Sequence, residues 1–339
     1  MKLSYGKVPV DLLREVVFKN LGVERPEVVL GPSAGIDGAV IDVGNRSLIV
    51  SMDPITGALE RIGWLAVNVN ANDIATFGVE PAFLLSCILL PENADRKTVE
   101  AISGQMGKAA KKLGIAIIGG HCEVTPGLTN PIVVGCTIGM TEKGNYVTAA
   151  GAKQGDKIIL TKSTGIEGTA ILASDKEDQL RKVVSPTTLR NAKRFYDQIS
   201  VVKDAITAFK TGAVHAMHDP TEGGVAGGIH EMADASNLGA KIFEEKICVQ
   251  PETIQICEFF HIDPLQLISS GALLISAKPE LGDKIIERLE QKQITASVIG
   301  EFLQNPRDRL IIRKNRKIQA LPRPLSDHLW LALMKRIIS

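Results

Sequence analysis

The residues best able to do chemistry in this chain are carboxylates placed at turns. Asp37 follows two glycines in Gly31-Pro-Ser-Ala-Gly35-Ile-Asp37-Gly38. Such a loop lets backbone approach a bulky anion while the carboxylate holds a cation, although turn chemistry alone explains the same residues. Asp53 ends an apolar run in Ser51-Met52-Asp53-Pro54. A strand-end carboxylate suits magnesium, which takes few protein oxygens and keeps phosphate and water ligands; an Asp before Pro also starts turns. The segment Glu60 to Phe77 carries Ile62, Leu65, Val69 and Ile74 at helical spacing, yet holds Asn68, Asn70, Asn72 and Asp73. A buried, unpaired carboxylate costs several kcal/mol, so this cluster needs partners from protein, metal or ligand. One solvated face would serve Asn68 and Asn72, four apart, but not Asn72 and Asp73, which point about 100° apart.

Three further groups invite comparison. Gly119-Gly120-His121-Cys122-Glu123 offers three ligand types in a row. Adjacent residues rarely bind one ion together, and no second cluster has zinc-finger spacing. Cys122 as a nucleophile has no evident base. His215 and His218 are spaced for a metal pair, but surface or capping histidines are the commoner case. Asp219-Pro220-Thr221-Glu222-Gly223-Gly224 reads as a helix start, with Asp219 as cap and Pro220 at the first helical position. Its free N–H groups suit phosphate, and the anionic cap then needs a bridging cation. Thr164-Gly165-Ile166-Glu167 reads as a capping box for another helix. P-loop, dinucleotide-binding and nucleophile-elbow motifs are all absent.

Helical and strand patterns alternate along the chain, which predicts an α/β or α+β architecture. Helices are expected at 11–21, 60–77, 97–113 and 223–236, and strands at 39–43, 47–52, 82–90, 115–118, 131–139, 157–161, 271–275 and 297–299. The small, polar stretch Thr148 to Asp156 places a domain boundary near residue 150, dividing the chain into 1–150 and 151–339. A length of 339 residues accommodates two domains. Hydrophobic residues make up 45%, enough for a substantial core. Lys plus Arg is 39 against 38 Asp plus Glu, so no basic excess points to nucleic acid. No apolar run has membrane-spanning length, and Lys2 is not followed by a signal-peptide core. The five cysteines lack paired spacing and read as buried reduced thiols in a cytoplasmic protein.

These motifs, in this order, resemble those of the AIR synthase-like superfamily (PurM, HypE, ThiL and SelD types). Asn72-Asp73-Ile-Ala-Thr-Phe-Gly78-Val-Glu80-Pro81 resembles the Asn-Asp block of the purine-pathway cyclo-ligase, and Gly119-Gly120-His121-Cys-Glu123-Val-Thr-Pro126-Gly127 its Gly-Gly-Glu block. Gly155 to Ala170 and Asp219-Pro220-Thr221-x-Gly223-Gly224 look most like the HypE branch of hydrogenase maturation factors. The resemblance implies a two-domain PurM-like fold: an N-terminal domain whose strands form a dimeric β-barrel with a second copy, and a C-terminal α/β domain. It implies ATP and magnesium in a cleft, with Asp37, Asp53 and Asp73 as metal ligands, Glu123 as a substitute ligand, and Asn72, Gly119, Gly120, Asp219 and Thr221 also contacting the nucleotide. Catalytic residues stay unassigned. His121 stands where relatives carry an acid, and Glu222 where HypE proteins carry Arg. HypE proteins end in a Cys-bearing tail, whereas the last Cys here is Cys257. The expected activity is therefore ATP-dependent activation of a substrate oxygen by phosphoryl transfer, with the acceptor open. The alternative is a non-catalytic nucleotide sensor or assembly partner in metallocentre maturation.

Overall fold

The computed structural model describes residues 3, 6–33, 35–56 and 60–335. Ala34 of the Gly31–Gly38 loop and the last four residues lie outside them. Two sheets carry the structure. The first is built from β1 (Val28–Leu30), β2 (Ala39–Val43), β3 (Arg46–Ile55), β4 (Pro81–Leu90), β5 (Ala116–Val124) and β6 (Ile132–Glu142), in the order β1-β2-β3-β6-β4-β5. The second contains β7 (Lys157–Thr161), β8 (Val214–His218), β9 (Gly239–Phe243), β10 (Leu274–Ala277), β11 (Ala296–Leu303), β12 (Arg309–Ile312) and β13 (Ile318–Ala320), in the order β13-β12-β9-β11-β7-β10-β8. Pairing is antiparallel except for β4–β5 and β9–β12. The β4–β5 crossover runs through the helix Arg96–Leu113, as a parallel pair requires. The first sheet is open within one chain, with β1 and β5 at its edges.

The helix Ile62–Ala75 is buried along its whole length. It packs on β3, β6 and the helix Arg96–Leu113, and a helix apolar on all sides can only sit in a core. Its polar residues are each engaged, so no solvated face exists. Asn68 donates to the Trp64 carbonyl at 2.8 Å. The Asn70 side chain accepts the Asp53 N–H at 2.8 Å and donates to the Asp53 carbonyl at 3.1 Å, clamping the end of β3. A Cβ at Gly135 would lie 2.6 Å from the Asn70 amide, so the residue there must be glycine. Asn72 donates to the Ile199 carbonyl at 2.9 Å and accepts the Val201 N–H at 2.8 Å, tying the first sheet's helix to the second half of the chain.

Several local expectations are corrected. The helix predicted at 11–21 is shorter, Val10–Leu12 running into a wide turn at Leu13–Val17. The strand predicted at 115–118 continues to Val124. Neither predicted cap forms. The helix Ile166–Asp175 starts from Gly165 at φ 70°, whose N–H is taken by the Ser269 hydroxyl at 2.7 Å. Thr164 donates instead to the Pro264 carbonyl. The helix Gly224–Ala235 starts from Gly223 at φ 81°, and the Gly223 N–H goes to Asp327 at 2.7 Å. The Thr164 N–H that a capping box would give to Glu167 goes to the Cys248 carbonyl at 3.0 Å, and the second helix starts only after Gly223, so Glu167 and Asp219 are both left without their expected job. All five cysteines are free, as expected, but Cys122 and Cys248 are exposed rather than buried.

Candidate functional site

A cleft of about 330 Å³ opens between the two halves, lined by Asp37, Ser51, Asp53 and Asp73 from the first and Thr221 from the second, with Lys7 across its mouth. Each acid is held by a different device. Ser51, on β3, places its hydroxyl 2.7 Å from Asp73 Oδ2 and 2.5 Å from the Asp37 carbonyl. Asn70 holds the backbone of Asp53. Asp37 Oδ2 accepts from His218 Nδ1 at 2.8 Å, and His218 Nε2 lies 2.8 Å from Glu231 Oε2. His218 is buried at the end of β8. Burial alone would lower its value, but the flanking Asp37 and Glu231 carboxylates raise it well above the ordinary one. Both ring nitrogens therefore donate, and His218 serves as a buried cation rather than a metal ligand. Glu231 is correspondingly ionised. Burial pushes it up, yet Lys7 and His218 bring it down to about 2.

The other acids are held in a low-dielectric cluster of like charges. Burial pushes Asp53 up to about 6, with Lys7 opposing and Asp37 and Glu222 adding to the rise. Burial, reinforced by Asp53 and Asp219, raises Asp73 well above its usual range. Asp219 is fully buried, and neither of its carboxylate oxygens has a hydrogen-bond partner among the described residues. Burial and Asp37 raise it strongly. Its oxygen and one from Asp37 lie within 4.8 Å of each other beside His218. A buried orphan carboxylate next to three others is what a hard divalent cation would satisfy, so this donor set fits magnesium. Lys7 Nζ reaches Thr221 Oγ1 at 3.3 Å and Glu231 at 3.8 Å, and the Lys7 N–H donates to Glu222 at 2.8 Å.

Not every residue singled out from sequence meets this cleft. Asn72 is engaged through both ends of its amide by Ile199 and Val201, so it acts as a structural clamp. Gly119, Gly120 and Glu123 stand on β5, at the far edge of the sheet from β3 with β6 and β4 between. Glu123 there is exposed and hydrogen-bonded to His121 at 3.0 Å and Thr125 at 3.0 Å. His215 belongs to a separate pair with Asp156, 2.8 Å away, so the two histidines do not converge on one ion. Lys7, His218 as a cation, Glu231 and Asn70 were not assigned to the site from sequence. Only Asn70 carried a signal, as a polar residue in an apolar helix.

Comparison with known proteins fits this arrangement. The AIR synthase related protein N-terminal domain matches residues 35–141, and the corresponding C-terminal domain matches 153–313. A Methanocaldococcus jannaschii protein provisionally named for hydrogenase expression/formation is 30% identical over 87% of this chain and 88% of its own. Carbamoyl dehydratase HypE of Rhizobium leguminosarum bv. viciae is 29% identical over 80% of this chain and 77% of its own. The solved structure of hydrogenase maturation protein HypE in complex with ATP shares the fold, with a TM-score of 0.71 at 21% identity over 95% of this chain and 96% of that one. With both domain models matched in order and a relative aligned over most of both lengths, the chain belongs to the AIR synthase related family and is HypE-like.

Proposed function

We propose that the chain is a magnesium- and ATP-dependent enzyme of the HypE type that activates an acceptor oxygen by phosphoryl transfer, working as a homodimer. The observation that carries this reading is the buried, unpartnered Asp219 carboxylate within 4.8 Å of Asp37, beside a cleft that Asp37, Asp53 and Asp73 line. Bound magnesium would offset negative charge developing on the transferred phosphoryl group. The chain's own residues do the positioning. His218 fixes the Asp37 oxygens, Ser51 orients Asp73, and Asn70 sets the strand end that presents Asp53. Lys7 supplies a positive charge at the mouth of an otherwise acidic cleft, where nucleotide phosphates would enter. The relative solved with ATP supports the choice of nucleotide.

The dimer reading rests on β5. All nine of its residues are exposed, Ile118 and Val124 by more than half, and among the described residues it pairs only with β4. An open, partly apolar edge of this length invites a second strand. A second copy placed there would bring Gly119, Gly120 and Glu123 toward a partner cleft. Calorimetric titration of ATP with and without magnesium, on wild type and Asp73→Asn, tests the site, and sedimentation tests the dimer. Magnesium-dependent binding lost in Asp73→Asn supports the reading; ATP binding that ignores both magnesium and the substitution would sink it.

A further inference from the structure

Beside the carboxylate cleft lies a second, smaller cavity of about 70 Å³, lined by Glu167, Glu222 and Asp327 with Ile171, Thr56 and Trp330. The two cavities share walls. Consecutive residues of β3, Asp53 and Pro54, line the larger and the smaller, and so do consecutive residues of the turn, Thr221 and Glu222. At roughly 15 Å³ per water, the volume admits a few waters or a small functional group.

Two of its acids have structural explanations. Asp327 caps the helix His328–Met334 through the Leu329 N–H and also receives the Gly223 N–H. Glu222 accepts the Lys7 N–H. Glu167 has none. It is 4% exposed, and its Oε2 makes no hydrogen bond among the described residues. Its place in the first turn of the helix Ile166–Asp175 favours a negative charge, but a helix dipole leaves the oxygen itself unsatisfied. No Lys or Arg side chain lies within ion-pair distance of Glu167 or Asp327 among the described residues. Burial, opposed by the neighbouring Ser270 hydroxyl and reinforced by Asp327 and Glu222, pushes Glu167 up to about 7, and its Oε2 still lacks a donor.

We propose that the Glu167 cavity is the acceptor subsite, holding a cationic nitrogen group (an ammonium or amidinium) of the molecule activated in the adjoining cleft. This deepens the proposed function and rests on it for the direction of transfer. The nitrogen donates to Glu167 Oε2, while the remainder of the acceptor passes between β3 and the Thr221–Glu222 turn toward the Asp53 carboxylate. The class is set by three carboxyls facing a cavity that, among the described residues, no lysine or arginine neutralises.

The test uses the full chain with acetamidinium as probe and acetamide as its neutral counterpart, binding being read by saturation-transfer NMR. Wild type should bind acetamidinium, and Glu167→Gln should weaken it about tenfold or more, the loss expected for one charge-assisted hydrogen bond. Asp73→Asn should lose ATP but keep the probe, so failure of the nucleotide site and of this subsite are separable. Glu167→Leu provides a second reading without ligand: removing an orphan buried carboxyl should raise the unfolding midpoint, whereas loss of a structural hydrogen bond would lower it. Equal binding of acetamide and acetamidinium, unchanged binding in Glu167→Gln, or a lowered midpoint in Glu167→Leu would each overturn the assignment.

Discussion

Replacing Asp219 by Asn should stabilise the metal-free protein, and the size of the effect follows from where the carboxyl sits. Asp219 is fully buried with both oxygens unpartnered among the described residues, and its value is raised well above the ordinary 3.8. A carboxyl that cannot be solvated neutralises instead of paying a full charge-burial penalty. The cost to the fold at pH 7 is then bounded by the work of protonating a group of ordinary value 3.8, about 4 kcal/mol at 1.36 kcal/mol per pH unit. Because the folded value is raised, the penalty grows as pH rises above 3.8, and at pH 5 it is below about 2 kcal/mol. Asn carries no such cost. Urea unfolding in a chelator should therefore place Asp219→Asn above wild type by up to about 4 kcal/mol at pH 7, and the gap should narrow at pH 5. Adding magnesium should reverse the order, because an ion that binds only the folded state stabilises wild type by mass action and the variant hardly at all. A variant less stable than wild type in chelator would mean that Asp219 is a satisfied helix cap. Equal stabilisation of both proteins by magnesium would remove Asp219 from the metal site.

Other residues lead to equally direct outcomes. His218→Gln leaves Asp37 and Glu231 facing each other without their buried cation, and should cost about 3–5 kcal/mol in urea unfolding; a loss under about 1 kcal/mol would show that the imidazolium is not needed there. Asn72→Ala frees the Ile199 carbonyl and the Val201 N–H inside the core. It should destabilise by roughly 2–6 kcal/mol, at about 1–3 kcal/mol per unpaired group, while leaving magnesium–ATP affinity unchanged. A selective loss of ATP binding in a stable Asn72→Ala protein would return that residue to the nucleotide site. Gly120→Ala puts a Cβ 1.8 Å from the Ser86 carbonyl oxygen, so β5 should part from β4, and sedimentation should show loss of the dimer together with weaker ATP binding; an intact dimer would remove β5 from the interface.

Much of the fold was legible locally. The helix Arg96–Leu113 was expected at 97–113 and ends on Gly114 in the left-handed region, a stop readable along the chain, while its capping box at Asp95 and Thr98 emerged only in the structure. The hairpin of β2 and β3 was equally plain, because an alternating apolar run on each side of Gly44-Asn45 leaves little choice of register. The Asn-rich helix was legible as a problem: its polar residues had to find partners, and they did. Which partners was another matter. Asn72 reached Ile199 and Val201, more than 120 residues away, and nothing in its own segment distinguishes that clamp from a ligand contact.

The sequence by itself determined the element types, the chemistry of the clustered acids and the family, because periodicity, turn residues and motif order are properties of short segments. Tertiary structure alone decided which acids became available for chemistry. Cys248 took the Thr164 N–H that Glu167 would have capped, and the helix that Asp219 was placed to cap began only after Gly223, whose N–H went to Asp327. Asp219 and Glu167, written like local caps, were thereby left buried and unsatisfied beside the two cavities. Where a helix begins, and which distant groups reach the N–H groups at its start, are fixed only by the packed fold, so distance decides whether a local cap forms.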